Sequence, residues 1–296
     1  MFATLTPFIN LWRKKNMIRK LKYFIVLVLF FPSCTEQREE LPPAETKILG
    51  HRGSGSTSFS NYQENTYHSV KNAFNKLHGA EIDVQCSKDG TIWLFHDAGL
   101  PENDLGLFCV PGSSDEDLIE MANRDTLFTL TRLEEIFELM TKMEKRPVLS
   151  LDVKGNFPNG CFDSDNAPRH YFDMMAQSLN TLLRKYNIHK YVMVETDYTS
   201  FLDKMLATEP LIECFLLGYD NFGERMEAAM SKSYHGISYN FNDPGLTKED
   251  IITARQNGLK IQLWTIYNEE DFKRALSWGP DFIQTGNVEL GKTFID

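Results

Sequence analysis

The 296-residue chain is 42% hydrophobic, 24% charged and 12% aromatic, which excludes a disordered polymer, a collagen-like repeat and a low-complexity array. Its formal net charge is -10, but residues 1–33 hold six basic side chains and no acidic one, so the remainder carries 25 basic against 41 acidic residues, or -16. A surface of that sign repels polyanions and excludes nucleic acid as a nonspecific partner.

From Met17 the text runs Met17-Ile18-Arg19-Lys20-Leu21-Lys22, then an apolar stretch from Tyr23 to Phe31, then Pro32-Ser33-Cys34. A basic start, a short apolar centre and a small residue at the end read as a secretory signal peptide over 1–33, with Met17 as the expected true start. The apolar stretch has nine residues, whereas a spanning helix needs roughly 20. Phe31-Pro32-Ser33-Cys34 resembles a bacterial lipobox, which implies lipidation of Cys34. Ordinary cleavage beside a bystander cysteine is the competing reading. The expected location is the bacterial cell envelope, lipid-anchored in the periplasm or outer membrane. Residues 34–45 are charged and Pro-containing without periodicity, as in a tether. Residues 46–296 then have the length of one barrel domain, about 250 residues.

Within 46–296, short β-rich runs alternate with amphipathic stretches. Strands are expected at 46–51, 79–84, 91–96, 147–153, 191–195, 212–217, 236–239, 259–265 and 281–285. Helices are expected at 65–77, 131–142, 170–186, 199–207, 222–232, 247–257 and 268–277, the sixth opening on a Thr247/Asp250 capping box. This alternation predicts βα units around a parallel sheet. The segment between 79–84 and 91–96 is too short for a parallel crossover, so those two strands should form a hairpin on Asp89-Gly90. A two-residue loop sets Asp83 opposite His96; a four-residue loop from Ser87 to Gly90 sets Glu81 there instead.

Several residues in this frame suit phosphoester chemistry. His51 and Arg52 close the first strand, and Glu64-Asn65-Thr66 opens the next helix. Glu81 and Asp83 share a strand face, where two ionised carboxylates repel and lose solvation unless a cation lies between them. Two carboxylates on a wet edge strand would be the plainer alternative. Phe95-His96-Asp97 ends the hairpin, while Asp152 and Lys154 share a face of the 147–153 strand, as a local ion pair also would. Trp264 lies on the last long strand. Glu195 and Asp197 end another strand but belong to no motif, and the remaining histidines lack partners at ligand spacing.

The succession His51-Arg52-Gly53, Glu64-Asn65-Thr66, Glu81-Ile82-Asp83-Val84, Ser87-Lys88-Asp89-Gly90 and Phe95-His96-Asp97 resembles the glycerophosphodiester phosphodiesterase family. So do Leu151-Asp152-Val153-Lys154-Gly155, Gly258-Leu259-Lys260 with Leu263-Trp264-Thr265, and Gly279-Pro280-Asp281-Phe282-Ile283-Gln284-Thr285. The resemblance implies a somewhat irregular (β/α)8 TIM barrel, shared with phosphatidylinositol-specific phospholipases C. It implies that Glu81, Asp83 and Asp152 hold one divalent metal ion, Ca2+ or Mg2+, since hard oxygen ligands favour hard cations. It further implies His51 and His96 as the acid/base pair, Arg52 and Lys154 on the non-bridging oxygens, Glu64 and Asn65 positioning the site, and Trp264 as a wall. The substrate would be a small phosphodiester, hydrolysed to an alcohol and sn-glycerol 3-phosphate. Asp152 stands where the family usually has Glu. Ala98 to Leu118 replaces the family's usual segment, and Gln284-Thr285-Gly286-Asn287 replaces Ile-Thr-Asp. Two other readings stay open: a phospholipase of the same superfamily, favoured by Leu105, Leu107 and Phe108, and a barrel that binds phosphodiesters or glycans without turnover.

Four cysteines follow Cys34 in a chain expected to be exported. Cys109 and Cys161 fall in neighbouring connections on the active face of the proposed barrel and would be paired there; two free thiols are the alternative. Cys86 and Cys214 lie in or beside apolar strands and read as buried free thiols. No signal bears on oligomeric state.

Overall fold

The computed structural model describes residues 45–295 apart from 56–57, 125–127 and 163–166. The leader expected over 1–33, Cys34 and the expected tether as far as residue 44 lie outside the described residues. Among those described, no helix is long and apolar enough to cross a membrane.

The strands are β1 (Lys47–Gly50), β2 (Gly79–Cys86), β3 (Ile92–Leu94), β4 (Thr131–Arg132), β5 (Val148–Val153), β6 (Val192–Thr196), β7 (Glu213–Gly218), β8 (Gly236–Asn240), β9 (Lys260–Ile266) and β10 (Phe282–Thr285). β1 pairs in parallel with both β2 and β10, β2 pairs with β5, and each strand from β5 to β10 pairs with the next. Eight parallel strands thus close a ring, with β3 and β4 antiparallel beside it. The helices are α1 (Tyr67–Lys76), α2 (Asp115–Arg124), α3 (Leu133–Lys142), α4 (Ala167–Tyr186), α5 (Thr199–Thr208), α6 (Phe222–Ser231), α7 (Lys248–Gln256), α8 (Glu269–Trp278) and α9 (Val288–Lys292). The architecture is a (β/α)8 barrel.

Strand alternation builds two different interiors. Ile82, Val84, Leu149, Leu151, Val194, Ile261, Leu263 and Ile283 face the helices and join the main apolar core. Each such side chain contributes about 1.5–3 kcal/mol on burial. The alternate positions point into the barrel. Leu49, Met193, Phe215 and Phe282 form a separate apolar cluster there. Other inward positions are polar, with Glu81 on β2, Ser150 on β5, Glu195 on β6, Ser238 on β8, Gln262 on β9 and Gln284 on β10 all buried. An apolar plug under a polar layer gives a barrel with chemistry at one end only.

Each expected strand and helix has a counterpart. β4, α2 and α9 were not expected. α2 carried a readable start: Ser114 Oγ accepts from Asp117 N at 3.2 Å and donates to its carboxylate at 2.6 Å, ahead of three acidic residues in the first turn. The Thr247/Asp250 box forms at α7 as expected.

The hairpin adopts neither expected register. Ser87 N donates to Thr91 O at 2.9 Å, and Lys88-Asp89-Gly90 make a three-residue loop with Gly90 at φ 90°. A two-residue turn of the favoured type needs positive φ at both loop positions, whereas here only the glycine takes it. The pairs are Val84–Leu94, Gln85–Trp93 and Cys86–Ile92. Phe95, not His96, therefore meets Asp83, through Phe95 N to Asp83 O at 3.1 Å.

Cys109 and Cys161 are joined as a disulfide, with Cα atoms 5.7 Å apart, while Cys86 and Cys214 are buried and free. The bond ties the segment after β3 to the segment after β5. Across a separation of 52 residues, closure is worth about 4 kcal/mol in the chain-entropy model. Cys161→Ser should lower the thermal midpoint by roughly 10 °C. A drop under about 2 °C in a melting experiment would mean that other contacts hold these loops.

Candidate active site

At the C-terminal ends of the barrel strands lies a cavity of about 190 Å³. His51, Arg52, Glu81, Asp83, His96, Asp152, Lys154 and Trp264 line it. Glu64 and Asn65 are not on its wall but reach it through Arg52 and Asp83. All ten residues expected at the site within the described region are thereby brought together.

His51 and Arg52 occupy the turn leaving β1. Arg52 has φ 53°, in the left-handed region that costs a non-glycine residue of order 1–3 kcal/mol. The surroundings hold it there. Arg52 N donates to Glu81 Oε2 at 2.8 Å, Gly53 N to Glu81 O at 2.9 Å, and Ser69 Oγ to Arg52 O at 2.9 Å. Gly53 follows with φ 81°, where a Cβ would lie 2.4 Å from Ser69 Oγ. The β1–α1 loop can therefore approach α1 only with glycine there.

The acidic centre comes from β2 and β5, whose register sets Asp83 beside Asp152. Glu81, Asp83 and Asp152 each offer an oxygen within 4.8 Å of the others. Two oxygens bound to one Ca2+ at about 2.3–2.6 Å can be no more than roughly 5 Å apart, so this donor set fits a divalent ion. Asn65, at φ 55°, holds Asp83 from two sides: its Nδ2 donates to Oδ2 at 2.7 Å, and its Oδ1 accepts from Asp83 N at 3.0 Å. Arg52 reaches Glu64 at 2.7 Å and Asp83 at 3.4 Å. Lys154 Nζ lies 2.8 Å from Asp83 and 2.6 Å from Asp152.

The electrostatics follow from crowding charges in a buried place. Burial, together with Asp83, Glu195 and Asp152, pushes the Glu81 carboxyl well above the usual range. Burial also raises Asp152, with Lys154 opposing. At Asp83 the burial effect is outweighed by Lys154, His96 and Arg52, which hold that carboxyl far below its ordinary value. For Lys154, burial is outweighed by Asp152 and Asp83, so the ammonium stays charged. Burial and then Arg52 push the His51 imidazole down to about 3. Its Nε2 stands 3.8 Å from Glu81 Oε2. His96 is more open, and its Nδ1 donates to Asp97 at 2.8 Å; a carboxylate can only accept, so Nε2 is left for the cavity side of the chemistry.

Four wall residues were not singled out from sequence as site residues: Glu195, Leu217, Tyr219 and Gln284. Glu195 is buried, accepts from Ser150 Oγ at 3.0 Å and from Gln262 and Gln284 Nε2 at 2.8 Å each, and is pushed up to about 7 by burial and Asp152. Its place at a strand end was the only available signal. Tyr219 meets Trp264 edge to face, with centroids 5.7 Å apart at 80°.

Comparison with known proteins agrees with this geometry. Residues 51–290 match the glycerophosphoryl diester phosphodiesterase family. A glycerophosphodiester phosphodiesterase of Caldanaerobacter subterraneus subsp. tengcongensis is 25% identical over 258 residues, covering 83% of this chain and 96% of the relative. The crystal structure of a putative glycerophosphodiester phosphodiesterase from Galdieria sulphuraria aligns with a TM-score of 0.71 at 25% identity, covering 86% of this chain and 99% of that one. An Oleispira antarctica phosphodiesterase, solved with the product sn-glycerol-3-phosphate, shares the fold at a TM-score of 0.67 and 17% identity, over 83% of this chain and 95% of that one. The chain belongs to the glycerophosphoryl diester phosphodiesterase family, enzymes that hydrolyse glycerophosphodiesters.

Proposed function

We propose that this chain is an exported, metal-dependent hydrolase that splits small glycerophosphodiesters into an alcohol and sn-glycerol 3-phosphate. The observation that carries this reading is a single polar cavity holding two imidazoles, three clustered carboxylates and two fixed cations. The proposed product is the molecule bound by the Oleispira antarctica relative.

Diester cleavage needs one proton taken from the attacking oxygen and another given to the leaving oxygen. His51 lies deeper, its side chain 16% exposed against 35% for His96, and is assigned as the proton acceptor. His96 stands nearer the mouth, through which the alcohol must depart. Asp97 accepts from Nδ1–H, so His96 in its imidazolium form carries the second proton on Nε2 and delivers it from there. Arg52 and Lys154 neutralise the non-bridging oxygens. Glu81, Asp83 and Asp152 would hold Ca2+ or Mg2+, which when bound adds Lewis-acid stabilisation of charge on phosphorus. Glu64 and Asn65 keep Arg52 and Asp83 in place, and Trp264 walls the site. A lipid anchor on Cys34 would keep the enzyme at the cell envelope, and the Cys109–Cys161 bond suits an oxidising compartment.

A phospholipase reading has one observation in its favour. The exposed aromatic residues Phe59, Tyr62, Phe108, Tyr219 and Tyr267 all sit on segments at the catalytic face. A turnover panel separates the readings: glycerophosphocholine, glycerophosphoethanolamine, glycerophosphoinositol and a phospholipid, each with and without chelator. Release of glycerol 3-phosphate from the water-soluble diesters, stopped by chelator, is the expected outcome. Turnover of the phospholipid alone would favour the second reading, and binding without turnover would leave only a recognition barrel.

A further inference from the structure

Gln85 is the next residue after Asp83 on the inward face of β2, and it is fully buried. Its Nε2 donates to the carbonyl of Phe95 at 3.1 Å and to that of Asp97 at 2.8 Å. Both partners are acceptors only, so the orientation of the amide is determined by the contacts. These two carbonyls flank His96. The β2–β3 ladder ends at Val84–Leu94, and Phe95 N to Asp83 O is the last backbone bond between the segments. Beyond it, the chain turns away from the sheet, and one amide holds the residues on both sides of the imidazole. The second of them is Asp97, whose carboxylate accepts from His96 Nδ1 and orients the ring so that Nε2 faces away from it.

We propose that Gln85 is a positioning residue for the His96 proton donor. It touches no reacting atom; its amide sets the backbone of 95–97 and through it both the imidazole and the carboxylate behind it. The inference rests on His96 being the donor, as assigned above. A misplacement of about 1 Å at such a group can cost 10²-fold in rate, which makes a single buried side chain a sensitive support.

The test compares Gln85→Met, similar in length but without a donor, and Gln85→Asn, which keeps the amide on a shorter arm, with His96→Ala. Two substrates are used: glycerophosphocholine and the 4-nitrophenyl ester of glycerol 3-phosphate, whose leaving oxygen departs without protonation. On glycerophosphocholine, Gln85→Met should lose roughly 10- to 100-fold in kcat with KM within about twofold, and Gln85→Asn less. On the nitrophenyl ester both losses should shrink to below about threefold, as for His96→Ala. Ca2+ affinity measured by calorimetry should be unchanged in both Gln85 variants. Equal losses on the two substrates, a parallel fall in Ca2+ affinity, or undiminished kcat would overturn the inference. If Gln85→Met does not fold, Gln85→Asn carries the same comparison. Should His96→Ala itself show no dependence on the leaving group, the assignment of His96 falls and the inference with it; should it show that dependence and the Gln85 variants not, the inference alone falls.

Discussion

Replacing either His51 or His96 with alanine is expected to lower kcat by at least about 10²-fold while the protein keeps its fold, the usual scale for losing a general acid or base. Neither imidazole supports the core: both line the cavity, and their ring contacts are with Glu81 and Asp97 rather than with the apolar interior. The two losses should differ in kind. Without His51, esters with poor and good leaving groups should suffer alike, because the attacking oxygen must lose its proton in both cases. Without His96, the loss should fade as the leaving group improves. Near-normal turnover in one of these variants, with circular dichroism unchanged, would remove that residue from the chemistry.

Much of this site was legible because the family motifs fall where strands end. His51, Glu81, Asp83, Asp152 and Lys154 are tied to β1, β2 and β5, and period-2 alternation already sets Glu81 and Asp83 on one face. The hairpin was legible as a hairpin, but not in register. A shift of one residue depends on which loop residue accepts positive φ, and the text Asp89-Gly90 admits more than one answer. Because His96 lies beyond the last β3 pair, its approach to Asp83 comes from the chain leaving the ladder, with Gln85 holding it. Glu195 was hidden for another reason. Its hydrogen-bond partners lie 45, 67 and 89 residues away, on β5, β9 and β10, and only closure of the barrel gathers them. Nothing within its own stretch of chain distinguishes it from any other strand-end carboxylate. The Cys109–Cys161 pair was open on the same ground: the barrel topology brought the two loops together, but no spacing rule selects one pairing.

Exhaustive chelation is expected to reduce turnover to background, and added Ca2+ or Mg2+ to restore it. Three carboxylates within 4.8 Å, two of them pushed up chiefly by burial, form an unfavourable arrangement that a divalent cation relieves. Lys154 and Arg52 compensate part of that charge at Asp83, yet neither can take several oxygens into one coordination shell. Asp83→Asn should reproduce the chelator result. The Asn65 contact to its backbone N survives that change, whereas the charge that ties Arg52 and Lys154 to a metal ion is lost. Asp152 adds a second arm to the experiment. Its side chain is one methylene shorter than a glutamate, so Asp152→Glu should alter the ratio of Ca2+- to Mg2+-supported rates, because Mg2+ demands tighter octahedral distances of about 2.0–2.1 Å than Ca2+ does. Metal content is checked by elemental analysis before each assay. Full-rate turnover by protein shown to be metal-free would sink the assignment of all three carboxylates, leaving Lys154 and Arg52 to stabilise the transferring phosphoryl group alone.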